Sequence, residues 1–180
     1  LVMLVAVWRE PDGRLLHAHI VTAAASEDAS SALACNGAAL LCDRRVDEVT
    51  FAATHNSMSS EADGWLWPNQ ATGIRSQLDS GIRGFLIDAH YWESPGMGAF
   101  LLARVPSKLR TAFLSHVVRL HPSDVYLCHH ICAAGATRLT DTLREVDAFL
   151  DAHPDQVVIL DIEDHVLPSD AERSFRDSGL

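Results

Sequence analysis

Four short, nearly continuous apolar runs constrain this chain more than any other feature. They are "VTFAATH" (49–55), "GFLIDAHYW" (84–92), "DVYLCHH" (124–130) and "QVVILDIED" (156–164). A run of this length without polar alternation is the pattern of a strand buried on both faces of a parallel sheet. Helical patterns fall between the runs. "TGIRSQLDSG" (72–81) carries Ile74 and Leu78 and ends on glycine. "VPSKLRTAFLSHVVRL" (105–120) sets Leu109, Phe113, Val117 and Leu120 on one stripe. "LTDTLREVDAFLDAHPD" (139–155) is the clearest: Thr140 is a candidate cap, Leu143, Val146, Phe149 and Leu150 form the apolar face, and Pro154 ends it. Strands alternating with helices imply right-handed βαβ units and a parallel α/β sheet. Four such units are half of a (β/α)₈ barrel, which in full takes about 250 residues. The pattern therefore predicts either a small open α/β sheet or the front half of a barrel.

Ahead of these units, residues 1–23 read as two extended runs around "PDGR", a hairpin signal, and 24–34 as a small, polar linker. The expected organisation is an N-terminal extension over 1–34 and a main α/β domain over 35–180. At 180 residues with 48% hydrophobic and 21% charged side chains, the chain can bury a core of its own. A formal net charge of -10 argues against nucleic-acid binding, which needs clustered Lys and Arg. No stretch reaches the roughly 18 apolar residues of a membrane span.

The four cysteines form two close pairs, Cys35 with Cys42 and Cys128 with Cys132. They read as two local disulfides, and hence an oxidising, extracytoplasmic compartment. Four buried thiols in a cytosolic protein is the other reading. "LVMLVAVW" is too short and lacks the basic leader of a complete signal peptide. The chain opens on Leu1 rather than Met, so a signal or anchor upstream of it is an expectation.

The ends of the four runs carry the chemistry. The first stops on His55 and Asn56; the second holds Asp88 and His90; the third ends in His129 and His130; the fourth carries Glu163 and Asp164. In parallel α/β folds the C-terminal strand ends share one face, and that face holds the active site. Any one of these histidines alone is more often structural, and Asp88 alone could be a cap. The joint pattern shifts the balance. Two histidines can serve as general base and general acid. Asn, Asp and Glu offer hard oxygen ligands to Ca²⁺ or Mg²⁺. Proton-transferring histidines beside such a cation point to phosphoryl chemistry.

"CDRRVDEVTFAATHNSMS", "GIRGFLIDAHYW", "YLCHHICAAGAT" and "FLDAHPDQVVILDIEDHV" together resemble the X domain of phosphatidylinositol-specific phospholipases C, within the TIM-barrel PLC-like phosphodiesterases. The likeness covers roughly residues 35 to 166 and is greatest to secreted or membrane-attached forms. It implies a phosphoric diester hydrolase or lyase in which the inositol 2-hydroxyl attacks the phosphodiester, releasing diacylglycerol and a cyclic inositol phosphate. It implies His55 and His129 as the catalytic pair, with Asn56, Asp88 and Glu163 as ligands of a Ca²⁺ or Mg²⁺ ion. His129 is preferred to His130, which stands where the family usually has glycine. His90 and His130 are then candidates for substrate contact, and Arg83 is structural. Leu86 departs from the pattern, since the metal-dependent branch often has an acidic ligand there. The implied partners are a phospholipid or inositol-phosphate substrate and a membrane surface, with 93–123 either an interfacial segment or a helix packed on the barrel. The resemblance also implies a second half-barrel, so the chain reads as a fragment or as a reduced member of the family. A glycerophosphodiesterase is a poorer match, because its histidine-arginine-glycine motif and Glu pair are absent. A non-catalytic lipid- or protein-binding module is the alternative from outside the enzymes.

Overall fold

The computed structural model describes residues 34–92, 124–129 and 131–180, together with the backbone of 2–9 and 15–23. Its elements run β1 (Val2–Arg9), β2 (Leu15–Ala23), β3 (Ala53–Thr54), α1 (Ile74–Asp79), β4 (Gly84–Tyr91), β5 (Val125–Leu127), β6 (Thr137–Arg138), α2 (Leu139–Ala152), β7 (Val157–Asp164) and α3 (Pro168–Ser178). The expected helix at 105–120, the "PDGR" turn, most of the 24–34 linker, the proposed interfacial stretch 93–123 and His130 lie outside the described residues.

The strands form one sheet in the order β2-β1-β7-β4-β5-β6, with β3 added beside β4. The α/β class is as expected, but the sheet is open rather than closed into a barrel. The outer edge of β7 is taken by β1, which runs parallel to it from Met3 opposite Val157 to Arg9 opposite Glu163. β2 then pairs antiparallel with β1, so the N-terminal hairpin extends the sheet.

The expectation of an all-parallel sheet is corrected in its third strand. β3, β4, β7 and β1 run parallel, whereas β5 is antiparallel to both β4 and β6. Between β5 and β6 lie only residues 128–136, and a parallel crossover needs about a dozen residues or more. That return must therefore be antiparallel. The first and third strands are also shorter than the apolar runs suggested. Among the described residues of the 124–130 run only Val125–Leu127 is strand, and of the 49–55 run only Ala53 and Thr54 pair with β4. That pairing is close: a Cβ on Gly84 would sit 2.7 Å from the Cβ of Ala53, so the β3–β4 approach requires glycine there.

The core lies on one face of the sheet. Phe85, Ile87 and Ala89 of β4 and Val158, Leu160 and Ile162 of β7 alternate inward, as the strand period demands, and join Leu139, Leu143, Val146, Phe149 and Leu150 of α2 and Ala171 and Phe175 of α3 in one cluster. Each fully buried Leu or Ile of this kind contributes about 1.5–3 kcal/mol of transfer free energy. The apolar stripe expected on 139–155 is thus the stripe that is buried. Its cap is corrected: the helix begins at Leu139 straight out of β6, with Arg138 in extended backbone and no side-chain cap, so Thr140 lies inside the first turn. α3 has no counterpart in the sequence reading. It starts with Pro168 in its first turn, where the missing N–H is not needed.

Candidate active site

β4 and β7 supply the floor of the site. They are in parallel register, with Asp88 opposite Glu163 and Ala89 opposite Asp164. Because Phe85, Ile87 and Ala89 face the helices, Leu86, Asp88 and His90 face the other side, together with Asp161 and Glu163 of β7. Asp88 is nonetheless only 8% exposed. Asp164 points the opposite way, and its Oδ1 accepts the Val166 N–H at 2.9 Å. Burial pushes its carboxyl above the ordinary aspartate range, partly offset by that N–H and by His165.

Two strand ends meet along the same edge of β4. β3 runs parallel to β4 and stops after Thr54, which lies opposite Phe85. β5 runs the other way and stops after Leu127, opposite Ala89. Both chains continue toward the gap between these levels. There the Ser57 N–H bonds the Leu86 carbonyl at 2.9 Å and the Cys128 N–H bonds the Asp88 carbonyl at 3.1 Å. Asn56 and His129 are the residues next to these anchors, and they touch. The Asn56 amide nitrogen lies 3.3 Å from Nε2 and 3.5 Å from Nδ1 of His129. The amide is within hydrogen-bond reach of both ring nitrogens, and the ring tautomer decides which of them accepts.

Local chemistry explains why the first segment can do this. Asn56 has φ +50, a left-handed conformation that Asn tolerates better than most residues, and it turns the chain at the end of β3. Gln77 of α1, buried, then holds the turn. Its Nε2 donates to the carbonyls of Ser57 and Thr72, both at 2.8 Å, and its Oε1 accepts the Thr54 hydroxyl at 2.7 Å. Sequence reasoning passed over Gln77. The signal was a polar residue set among Ile74 and Leu78 on the apolar face of a short helix.

The remaining site residues are more dispersed. His55 sits at the exposed end of β3, where its carbonyl accepts from Gln70 Nε2 at 2.7 Å. Among the described residues its imidazole forms no hydrogen bond or ion pair. Glu163 Oε1 lies 2.9 Å from Nε2 of His165, and His165 stacks on His90 with ring centroids 4.2 Å apart and planes 15° off parallel. His165 is a second residue the sequence reading missed. Its signal was the spacing Asp161, Glu163, His165, which keeps one strand face. Arg83 is structural as expected: it lies over the Phe149 ring and bonds Gln156 Oε1 and the carbonyls of Leu78 and Ile82. Burial lowers the pKa of its guanidinium.

Both expected disulfides form, Cys35–Cys42 and Cys128–Cys132. They fit an extracellular location. Among the described residues no helix is long and apolar enough to cross a membrane.

As a cation site the donors fit in kind, since Asn56, Asp88 and Glu163 all offer hard oxygens. They also fit in strand register, with Asp88 beside Glu163. In the described residues, however, no three His, Cys, Asp or Glu side chains are gathered as ligands, and Glu163 is turned to His165.

Two known proteins are similar to this chain. One is PI-PLC X domain-containing protein 1 of Arthroderma benhamiae, 29% identical over 130 residues, which are 71% of this chain and 32% of that protein. The other is PI-PLC X domain-containing protein At5g67130 of Arabidopsis thaliana, 26% identical over 148 residues, 74% of this chain and 28% of that protein. The chain thus spans about a third of the length of the curated relatives it matches. No family model and no solved structure matches it. The two relatives support the PI-PLC X-domain family as the one to which the chain is related.

Proposed function

We propose that the chain carries the histidine-bearing portion of a phosphoric diester hydrolase or lyase of the phosphatidylinositol-specific phospholipase C type. The observation that carries this reading is the Asn56–His129 contact, made where β3 and β5 end against β4 at the level of Asp88 and Glu163. In this reading the parallel strands β3, β4 and β7 belong to the front half of a (β/α) barrel.

His129 and His55 share the proton transfers. One takes the proton from the attacking hydroxyl while the other protonates the leaving oxygen, the two roles an imidazole can fill. The substrate is a phospholipid whose inositol 2-hydroxyl is held against its own phosphodiester, so that attack is intramolecular. Asn56, Asp88 and Glu163 would hold a Ca²⁺ or Mg²⁺ ion, which supplies charge neutralisation at the phosphate when bound. His90, stacked on His165 beside Glu163, lies on the same face for contact with the substrate ring. The lipid surface is approached by the 61–70 loop, which bonds the His55 carbonyl through Gln70 and carries Trp67, 75% exposed. The disulfides favour a secreted or extracytoplasmic setting.

The test is cyclic inositol phosphate release from phosphatidylinositol vesicles, with Ca²⁺ and with a chelator. Turnover that is lost in His55→Ala and in His129→Ala supports the reading. Absence of product under every metal condition refutes it. The exposure of His55, whose imidazole forms no hydrogen bond or ion pair among the described residues, favours one second reading, a non-catalytic lipid-binding module. Its mark is vesicle binding unchanged in both histidine variants, without turnover.

A further inference from the structure

The loop that carries His129 is held by little of the sheet. β5 contributes only Val125, Tyr126 and Leu127 to the pairing with β4, and β6 only Thr137 and Arg138 beyond it. Between them, nine residues, 128–136, leave one strand and enter the next. Strand pairing of this length ends at Cys128, whose N–H bonds the Asp88 carbonyl, and the His129 carbonyl beyond it accepts the Ile131 N–H at 2.7 Å within the loop.

The described residues of this loop join a closed circuit of contacts. Cys128 is bonded to Cys132, and both are buried, at 0% and 2% exposure. Cys132 opens the 3₁₀ turn Cys132–Ala134. The Ala134 carbonyl accepts the Leu66 N–H at 2.8 Å, and Gly135 abuts the buried Trp65 ring. The 61–70 loop returns to the first histidine segment, because the Asn69 and Gln70 N–H groups both bond the Ser59 carbonyl at 2.9 Å. The Ser59 N–H in turn bonds the Asn56 carbonyl at 2.9 Å. The circuit therefore runs from Asn56 through Ser59, the 61–70 loop, Ala134 and Cys132 to Cys128, and closes at the Asn56–His129 contact. The sulfur–sulfur bond is its single covalent link between non-neighbours.

We propose that the Cys128–Cys132 disulfide is a positioning element of the site, setting the His129 ring against the Asn56 amide, whereas Cys35–Cys42 serves stability alone. Cys35–Cys42 makes a fair control. It closes a similar short loop, but at the opposite end of β7, where Asn36 bonds the Val157 N–H at 2.7 Å. The proposal rests on the phospholipase reading only for its activity readout, and a second readout stands without it.

The test compares wild type, Cys128→Ala/Cys132→Ala and Cys35→Ala/Cys42→Ala, all assayed below their melting temperatures. The expected result is a fall in kcat of about tenfold or more with KM little changed in the first variant, from loss of a fixed geometry. The second variant should show wild-type kcat despite a lower Tm. In parallel, the nuclear Overhauser contact between the Asn56 side-chain amide and the His129 ring protons is measured without substrate. It should be present in wild type and in Cys35→Ala/Cys42→Ala, and absent in Cys128→Ala/Cys132→Ala. If that variant does not fold, wild-type protein reduced with dithiothreitol below its melting temperature takes its place, since the thiols keep the buried volume. Persistence of the contact in folded protein lacking the Cys128–Cys132 bond overturns the proposal, as does its equal loss in the control. A wild type without turnover refutes the phospholipase reading and leaves the Overhauser comparison to decide this one.

Discussion

Gly135→Ala is the sharpest probe of how the two histidine-bearing loops are locked together. A Cβ at this position would lie 2.6 Å from both Cγ and Cε3 of Trp65 and closer still to Cδ2. Ordinary contact begins at 3.4 Å, so either the indole or the 131–136 loop must give way by about 1 Å. Neither side yields readily. Trp65 is buried, its N–H bonds the Ser60 carbonyl, and the next residue bonds Ala134. Overpacking a tight site usually costs about 1–3 kcal/mol, and a rigid ring meeting a tied backbone belongs near about 3. For a chain of this size each kcal/mol is worth about 2–4 °C, which predicts a Tm lower by about 6–12 °C. If the loop moves instead of the ring, His129 moves with it, and a shift of about 1 Å can cost up to about 10²-fold in turnover. The assay is a double-mutant cycle by thermal unfolding with Trp65→Ala, which removes every Trp65 atom that the added methyl would meet. In that background the added methyl should cost under about 1 kcal/mol, giving a coupling near about 2 kcal/mol. Equal costs in both backgrounds, or a wild-type Tm for Gly135→Ala, would refute the packing argument.

The other predictions address separate features. Gln77→Ala leaves the buried Ser57 carbonyl without its partner, at about 1–3 kcal/mol, and also loses the bond to the Thr72 carbonyl; a denaturant midpoint unchanged from wild type would contradict it. Burial, and then the like charge of Asp151 one turn on, raise the Asp147 pKa, so the folded state favours the protonated form and loses stability as pH rises through that pKa. Asp147→Asn should therefore raise Tm at pH 7.5 and lose that advantage at pH below about 3.5, where aspartates are protonated in both states; an advantage independent of pH counts against it. Trp67→Ala should weaken cosedimentation with zwitterionic phospholipid vesicles while leaving stability within about 0.5 kcal/mol, and undiminished binding excludes that residue as a surface contact.

The parts of this molecule that were legible in the sequence are those fixed by local patterns. The near-continuous run 156–164 becomes β7, and the stripe of Leu143, Val146, Phe149 and Leu150 becomes the buried face of α2, because burial alone dictates both. The two cysteine pairs were legible because close spacing permits few other partners. The direction of β5 was not legible. Three residues pairing with β4 carry the same apolar signature whichever way they run. Gln77 and His165 escaped for a related reason. Each acts through a partner distant in sequence or across a turn, Ser57 for the one and the His90 ring for the other, and no periodicity marks such pairs.

The reversal of β5 changes what the site depends on. In an all-parallel sheet, Asn56 and His129 would each stand at the top of a strand, and the sheet would hold them. Here β3 and β5 approach each other from opposite directions along one edge of β4, and the two residues occupy the gap where neither strand continues. Their separation is then set by loops: the Gln77-anchored turn on one side and the disulfide-closed loop on the other. Core damage on the helix face, such as Leu160→Ala at about 2–5 kcal/mol, lowers global stability without moving those loops in the protein that remains folded. Loop damage at Gly135 or at Cys128–Cys132 moves them directly. Turnover and stability should consequently separate in a mutant series, with core variants losing Tm at constant kcat and loop variants losing kcat out of proportion to Tm. A single line relating the two quantities across both classes would mean that the sheet, and not the loops, sets the Asn56–His129 geometry.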